Sequence, residues 1–193
     1  MKSHKPGKAL TGAIGIVLLA SISMLPCCAA VIPNRSVVGE VLPTVRGESL
    51  SGIETELPAD LLGKVSVLIL GYVQDAQFDA DRWLFGLLQA ETPVKIMEVP
   101  TIRGLVPSLI DFRIDSGMRS GIPNEDWSSV VTVYGDPAMK LLSFTGNETP
   151  RNVRVLLLDG NGVVIWMHDR GFSAGKMLEL DGLAREAVAS LGD

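Results

Sequence analysis

The run Val65-Ser66-Val67-Leu68-Ile69-Leu70-Gly71 is apolar at nearly every position. A strand with one wet face alternates apolar and polar side chains. A run without that alternation reads as a strand covered on both faces, which requires a sheet with layers on either side. The rest of the chain supplies matching parts. Val94 to Val99 and Val130 to Tyr134 read as further core strands. Asp75 to Gln89 reads as a helix in which Phe78, Trp83, Leu84, Leu87 and Leu88 recur near helical spacing. Asp75, Asp79 and Asp81 suit its early turns. Leu105 to Arg119 reads as a second helix closed by Gly121 and Pro123, and Pro137 to Leu142 as a short one. Leu42 to Gly52 has the punctuation of a small hairpin and Pro58 to Lys64 that of a turn. Val153 to Leu158 and Val163 to Met167 flank Asp159-Gly160-Asn161-Gly162, a strong hairpin turn. A last helix runs from Ser173, a suitable N-cap, to Leu191, with Met177, Leu178, Leu180, Leu183 and Val188 on its buried side. This order predicts an α/β fold: a mixed β-sheet flanked by helices, with an N-terminal β-hairpin.

The N-terminus reads as an address. Lys2, Lys5 and Lys8 precede an almost uncharged run from Ala9 to Leu25 that is short and interrupted for a membrane span, the layout of a secretory signal. Leu25-Pro26-Cys27-Cys28 resembles a bacterial lipobox, although Cys27 stands where that motif has a small residue. The resemblance implies lipidation at Cys28. Cleavage after Ala30 with release, and an uncleaved anchor, are the alternatives. The expected division is a signal peptide over 1–27, a tether over 28–40 and a domain over 41–193. Ala29 follows Cys28; without an Asp there, a lipoprotein of a diderm bacterium leans toward the outer membrane, facing the periplasm. The chain has 17 Lys plus Arg and 22 Asp plus Glu. Three of the lysines and none of the acids lie in the signal, which leaves 14 basic and 22 acidic residues beyond it, a net −8. Such a surface argues against nucleic acid and against a polybasic membrane patch.

Both cysteines, Cys27 and Cys28, belong to this N-terminal stretch. That bears on a second resemblance. Pro43 through Leu68, with its Pro, small hairpin, Gly63-Lys64 and apolar strand, resembles the opening of thiol peroxidases and periplasmic thiol reductases of the thioredoxin superfamily. Leu157-Leu158-Asp159-Gly160-Asn161-Gly162-Val163-Val164 resembles their late hairpin. The resemblance implies a thioredoxin-like fold. In those families reactive cysteines open the helix after the first core strand, where the helix N-terminus lowers a thiol pKa. The matching stretch here, Gly71 to Gln77, has no thiol. The families' cis-proline would fall near Val153, and the nearest proline is Pro150. Redox chemistry is therefore not expected. Gln77 to Trp83, Glu98 to Ile102, and Ile114 to Pro123 with Val131-Thr132-Val133-Tyr134 shortly after resemble cysteine-free thioredoxin-like proteins akin to the assembly factor for the membrane sector of the mitochondrial ATP synthase. That resemblance implies a protein-binding or chaperone-like role without catalysis.

Other chemistry finds little support. His168 is the one histidine beyond the signal. Asp169 is a poor partner for it, because neighbours in a strand point to opposite faces, so His168 reads as a strand-end residue. One histidine and no thiol exclude a zinc site of ordinary spacing. Asp75, Asp79 and Asp81 form the densest acidic group. Asp159-Gly160-Asn161-Gly162 lacks the later ligands of a calcium loop. There is no glycine-rich phosphate loop, and Ser108, Ser116, Ser128 and Ser129 lack a nucleophile-elbow setting. No metal and no cofactor are expected.

The polar side chains of the second helix, Arg103, Asp111, Arg113, Asp115 and Arg119, read as a solvated face with weak ion pairs. The functional alternative pairs Arg113 and Arg119 with Asp75 or Asp79. That would give a recognition patch of Tyr72, Gln74, Asp75, Arg113, Arg119 and Trp127, with Trp127 as an exposed anchor and Trp83 in the core. The expectation is a redox-inactive envelope lipoprotein that acts as an interaction or assembly module. Its partners are the membrane, through the lipid, and a protein of unknown identity. The alternative is a small-ligand binder or non-thiol enzyme that reuses the cleft.

Overall fold

The computed structural model describes residues 31–103, 117–119 and 121–192. The signal region, Cys28 and Arg113 lie outside them, as does most of the predicted helix from Leu105 to Arg119. The described residues belong to one unit that begins at Val31.

Seven strands form one sheet: β1 (Val45–Ser49), β2 (Glu54–Leu57), β3 (Ser66–Gly71), β4 (Lys95–Ile102), β5 (Val131–Tyr134), β6 (Arg154–Leu158) and β7 (Val164–His168). Their order is β2-β1-β5-β4-β3-β6-β7. The strand predicted to be covered on both faces is buried from Ser66 to Leu70 and lies inside the sheet. β3 runs parallel to β4, with Leu68 opposite Met97, and antiparallel to β6, with Leu68 opposite Leu156. Alternate β3 residues enter two separate cores, which is why the run needs no polar position. Leu68 and Leu70 pack with Leu156, Val133, Leu141 and Leu142 under α2 (Gly135–Thr145). Val67 and Ile69 pack with Val155, Trp83, Leu87 and Leu180 under α1 (Gln77–Gln89) and α3 (Ala174–Leu191). The early hairpin lies slightly later than predicted, turning through residues 50–53. The late one turns where predicted: the Asp159 carboxylate accepts from the Asn161 and Val163 backbone N–H groups, and Gly162 takes a φ of +78°. Ser173 occupies the N-cap of α3 without a side-chain capping bond.

Two helix faces differ from expectation. Phe78 is 76% exposed, and Leu88, also expected inside, is 55% exposed; Leu178 of α3 is exposed as well. At 100° per residue, Phe78 lies about 140° around the helix from Trp83. Trp83 and Leu87 are fully buried, so Phe78 faces outward with Phe85.

The tether reading also changes. Residues 31–40 form a strap across the domain. The Ile32 N–H donates to the Asn147 side chain, and the Asn147 N–H donates back to the Ile32 carbonyl, 2.7 and 2.8 Å. Val37 is completely buried in the α2 core. Farther along, Gly39 N–H donates to the Val164 carbonyl and Val164 N–H to the Glu40 carbonyl, so the strap closes onto edge strand β7. Gly146 makes this docking possible. Its φ is +77°, and a Cβ there would lie 2.2 Å from the Pro33 carbonyl oxygen. Gly146→Ala is therefore expected to push the strap off while the sheet persists, because overpacking and a strained φ combine at one point. Trypsin should then cut after Arg35 much faster than in the wild type. Equal cleavage rates would contradict the strap's dependence on this close approach.

Candidate functional site

The stretch from Gly71 to Gln77, which the sequence resemblance sets against a thiol active site, lies where β3 ends and α1 begins. Gly71 leads into Tyr72 and Val73, then a 3₁₀ turn over Gln74–Ala76, then α1. Start of β6 and the loop after β7 meet it at the same end of the sheet. Two buried polar side chains organise the junction.

The first is Asp79, in the opening turn of α1. Its Oδ2 accepts from the Val153 backbone N–H at 3.0 Å, and its Oδ1 accepts from Phe172 N–H at 2.6 Å. One carboxylate thus ties α1 to the start of β6 and to the β7–α3 loop. The placement near a helix N-terminus favours a negative charge. It also consumes the Val153 N–H at the position where the resembling families carry their proline.

The second is Arg154, fully buried at the start of β6. Nη1 donates to the carbonyls of Thr149 and Asn152 at 2.9 and 2.6 Å, and Nη2 donates to Asn34 Oδ1 of the strap at 2.8 Å. Its Cζ sits 5.2 Å from the centre of the Tyr72 ring, a cation–π arrangement. Burial lowers its pKa, partly countered by Tyr72, Asp169 and Glu148. Asn34 is itself fully engaged: Oδ1 also accepts from Glu148 N–H, and Nδ2 donates to Asp169 Oδ2. The Tyr72 hydroxyl lies 2.6 Å from Thr145 Oγ1 and donates to the Leu141 carbonyl at 3.1 Å. Burial pushes the Tyr72 pKa up to about 12 against the opposing hydrogen bond with Thr145.

Beside them, Gln77 Nε2 donates to both Asp81 and Glu98. Burial raises the Glu98 pKa, opposed by the Gln77 hydrogen bond and reinforced by Asp81. Trp83, Trp166, His168 and Phe172 form an aromatic cluster behind Asp79, with Trp83 5.4 Å from Phe172 and 5.5 Å from His168. His168 ends β7, as expected, and its Nε2 meets the Gly171 carbonyl at 2.9 Å; Asp169 turns to Asn34 instead.

The five described residues of the predicted patch do not form one surface. Tyr72 is buried and spent on α2, while Gln74 and Asp75 are exposed. Asp75 pairs with Arg151 at 3.3 Å, and Asp79 is satisfied by backbone, so neither is a partner for Arg119. Arg119 donates instead to the Leu50 carbonyl at 2.7 Å and lies over the Trp127 ring at 5.6 Å. Trp127 is half-buried and donates to the Ile122 carbonyl. Arg119 and Trp127 therefore brace the β1 turn, away from the α1 junction. Sequence reasoning passed over Arg154. Its signal was a lone charge beside Val155-Leu156-Leu157-Leu158, a run that must be buried. Two grooves open at the opposite end of the sheet, one between Lys64, Val94, Val188 and Leu191, the other between Gly63, Gly160, Leu183 and Ala187.

Two substitutions test this junction. Asp79→Ala strands two N–H groups, each worth about 1–3 kcal/mol when left unsatisfied, so a loss on the order of 3 kcal/mol, roughly 10 °C in Tm, is expected. A loss below 1 kcal/mol in denaturant titration would contradict the clamp. For Tyr72, the raised native pKa means that the native state holds its proton where the unfolded chain releases it. Its stabilisation is present below pH 10 and falls away as pH rises toward 12. Tyr72→Phe should be about 1 kcal/mol less stable at neutral pH and should lose that part of the alkaline decline.

No family model matches this chain, and no curated protein matches it in sequence. Solved structures do. A SCO1/SenC family lipoprotein from Bacillus anthracis matches 81% of this chain and 99% of its own, at 14% identity and a TM-score of 0.54. An exposed lipoprotein thioredoxin from Streptococcus pneumoniae matches 72% and 98%, at 14% identity and 0.50. A thiol peroxidase from Chromobacterium violaceum matches 81% and 92%, at 13% identity and 0.51. Likenesses at such identities are likenesses of fold, and the fold is thioredoxin-like.

Proposed function

We propose that this protein is a redox-inactive, thioredoxin-like lipoprotein of the cell envelope, anchored at Cys28 and acting as a protein-interaction or assembly module. The observation that carries the reading is the use made of polar groups at the β3–α1 junction. The Asp79 carboxylate, the Val153 N–H, the Tyr72 hydroxyl and most of the Arg154 guanidinium are spent on the fold itself. A catalytic site keeps a nucleophile, acid or base poised for substrate. Here the groups that could serve are committed, and the stretch from Gly71 to Gln77 carries no thiol. Two of the structural neighbours are lipoproteins by description, which agrees with the lipobox-like Leu25-Pro26-Cys27-Cys28. The resemblance of the middle segment to a membrane-complex assembly factor supplies the finer form of the proposal, a partner that is itself part of a membrane assembly.

Cross-linking co-purification of the tagged full-length protein from intact envelopes tests this, with Cys28→Ala as control. Recovery of one membrane assembly that is lost in the control is expected. Recovery of abundant envelope proteins alone would count against the module reading. In parallel, the purified protein should leave an insulin disulfide and hydrogen peroxide unchanged. Turnover of either would overturn the redox-inactive part.

A further inference from the structure

The strap has a consequence for where the domain sits. We infer that the domain is held against the bilayer with its β3–α1 end toward the lipid, so that Val73 and Phe78 contact the membrane interface. This rests on the reading of Cys28 as the lipid anchor. Ile32 is already fixed by two hydrogen bonds to Asn147. Three residues separate it from Cys28, and the four residue-to-residue steps span at most about 14 Å when fully extended. No free spacer of useful length is left.

The strap docks at a defined end of the sheet. Asn34 reaches Arg154 and Asp169; Arg154 in turn lies against Tyr72, the residue after β3. Arg151, in the loop beside the strap, pairs with Asp75 in the turn before α1. The end of β3, the start of α1 and the docked strap are therefore one neighbourhood. Large apolar side chains are exposed there: Val31 is 67% exposed, Val73 37% and Phe78 76%. Phe85 and Leu88 are also exposed farther along α1, so it is the short anchored segment that selects the β3–α1 end, where Val31, Val73 and Phe78 can enter a lipid interface. A long tether would leave the orientation free. A strap bound by Asn147, Arg154 and the Val37 pocket sets it.

The test uses the full-length lipidated protein, purified from membranes and reconstituted into phosphatidylcholine vesicles that contain a nitroxide-headgroup lipid. A fluorophore is placed in turn on Gln74→Cys, at the β3–α1 end, and on Gln89→Cys, at the far end of α1 about 20 Å away. Both positions are exposed. Quenching should be several-fold stronger at position 74 than at 89. A flexible Gly/Ser insertion of about 15 residues between Ala30 and Val31, some 20 Å in mean reach, should remove the difference while the lipid remains. Equal quenching at both positions, or a difference that survives the insertion, would overturn the orientation. Mass spectrometry of the mature N-terminus separates the two failures. A lipid on Cys28 with an unquenched position 74 overturns this inference alone, whereas an unmodified Cys28 overturns the anchor as well.

Discussion

The organisation of the β3–α1 end depends on a buried guanidinium. Arg154 cannot release its proton inside a protein, and taking a charge out of water is expensive unless its donors are met. No carboxylate lies within ion-pair distance among the described residues. Neutral acceptors do the work: two carbonyls from the 149–152 loop, one amide oxygen from the strap and the face of Tyr72. Nε has no partner. Removing Asn34 would leave Nη2 without its acceptor too. The strap is thus part of the folded core, because the alternative is a buried cation whose Nε and Nη2 donors are both unmet.

Asp79 completes the same logic from the other side of the sheet. Arg154 draws together the strap, the loop before β6 and the residue after β3. Asp79 draws the first turn of α1 onto Val153 and Phe172. Val153 and Arg154 are adjacent in sequence and point into different layers, so the beginning of β6 is clamped from above and below. The result is an end of the sheet whose backbone is held by side chains.

What could be read in the sequence follows from which interactions are local. The strands were legible because β3 and β6 carry unbroken apolar runs and the hairpin turn carries Asp159 and Gly162 at fixed offsets. The helix faces were half legible: Trp83 and Leu87 mark the buried side of α1, but Phe78 is equally apolar and faces out. The strap read as a tether because it lies between the anchor and the first strand and has no strand or helix pattern of its own. Its docking rests on pairs separated by more than a hundred residues, such as Asn34 with Arg154 and Ile32 with Asn147. No periodicity encodes such pairs. The patch around Tyr72 was misread for a related reason. Tyr72 and Gln74 are two residues apart, yet one turns into the α2 core and the other to solvent. Arg119 answers to Leu50 and Trp127, contacts that only the folded sheet creates.

A junction locked in this way limits how it can recognise anything. Apart from Arg154 Nε, its buried hydrogen-bonding groups described above are paired within the fold, so a partner reaching them would have to break bonds to a buried carboxylate and a buried guanidinium. Binding energy at this end must come from what the lock leaves outside: apolar side chains such as Val73 and Phe78, and the exposed Asp75–Arg151 pair at the rim. Area-driven contacts of that kind are tolerant of partner sequence, since hydrophobic burial is not directional. Selectivity then has to come from geometry, that is, from where the domain is held and which face it presents. On the proposed reading the strap supplies that geometry, and the buried arginine that keeps the strap in place becomes, at one remove, the determinant of what the protein can meet.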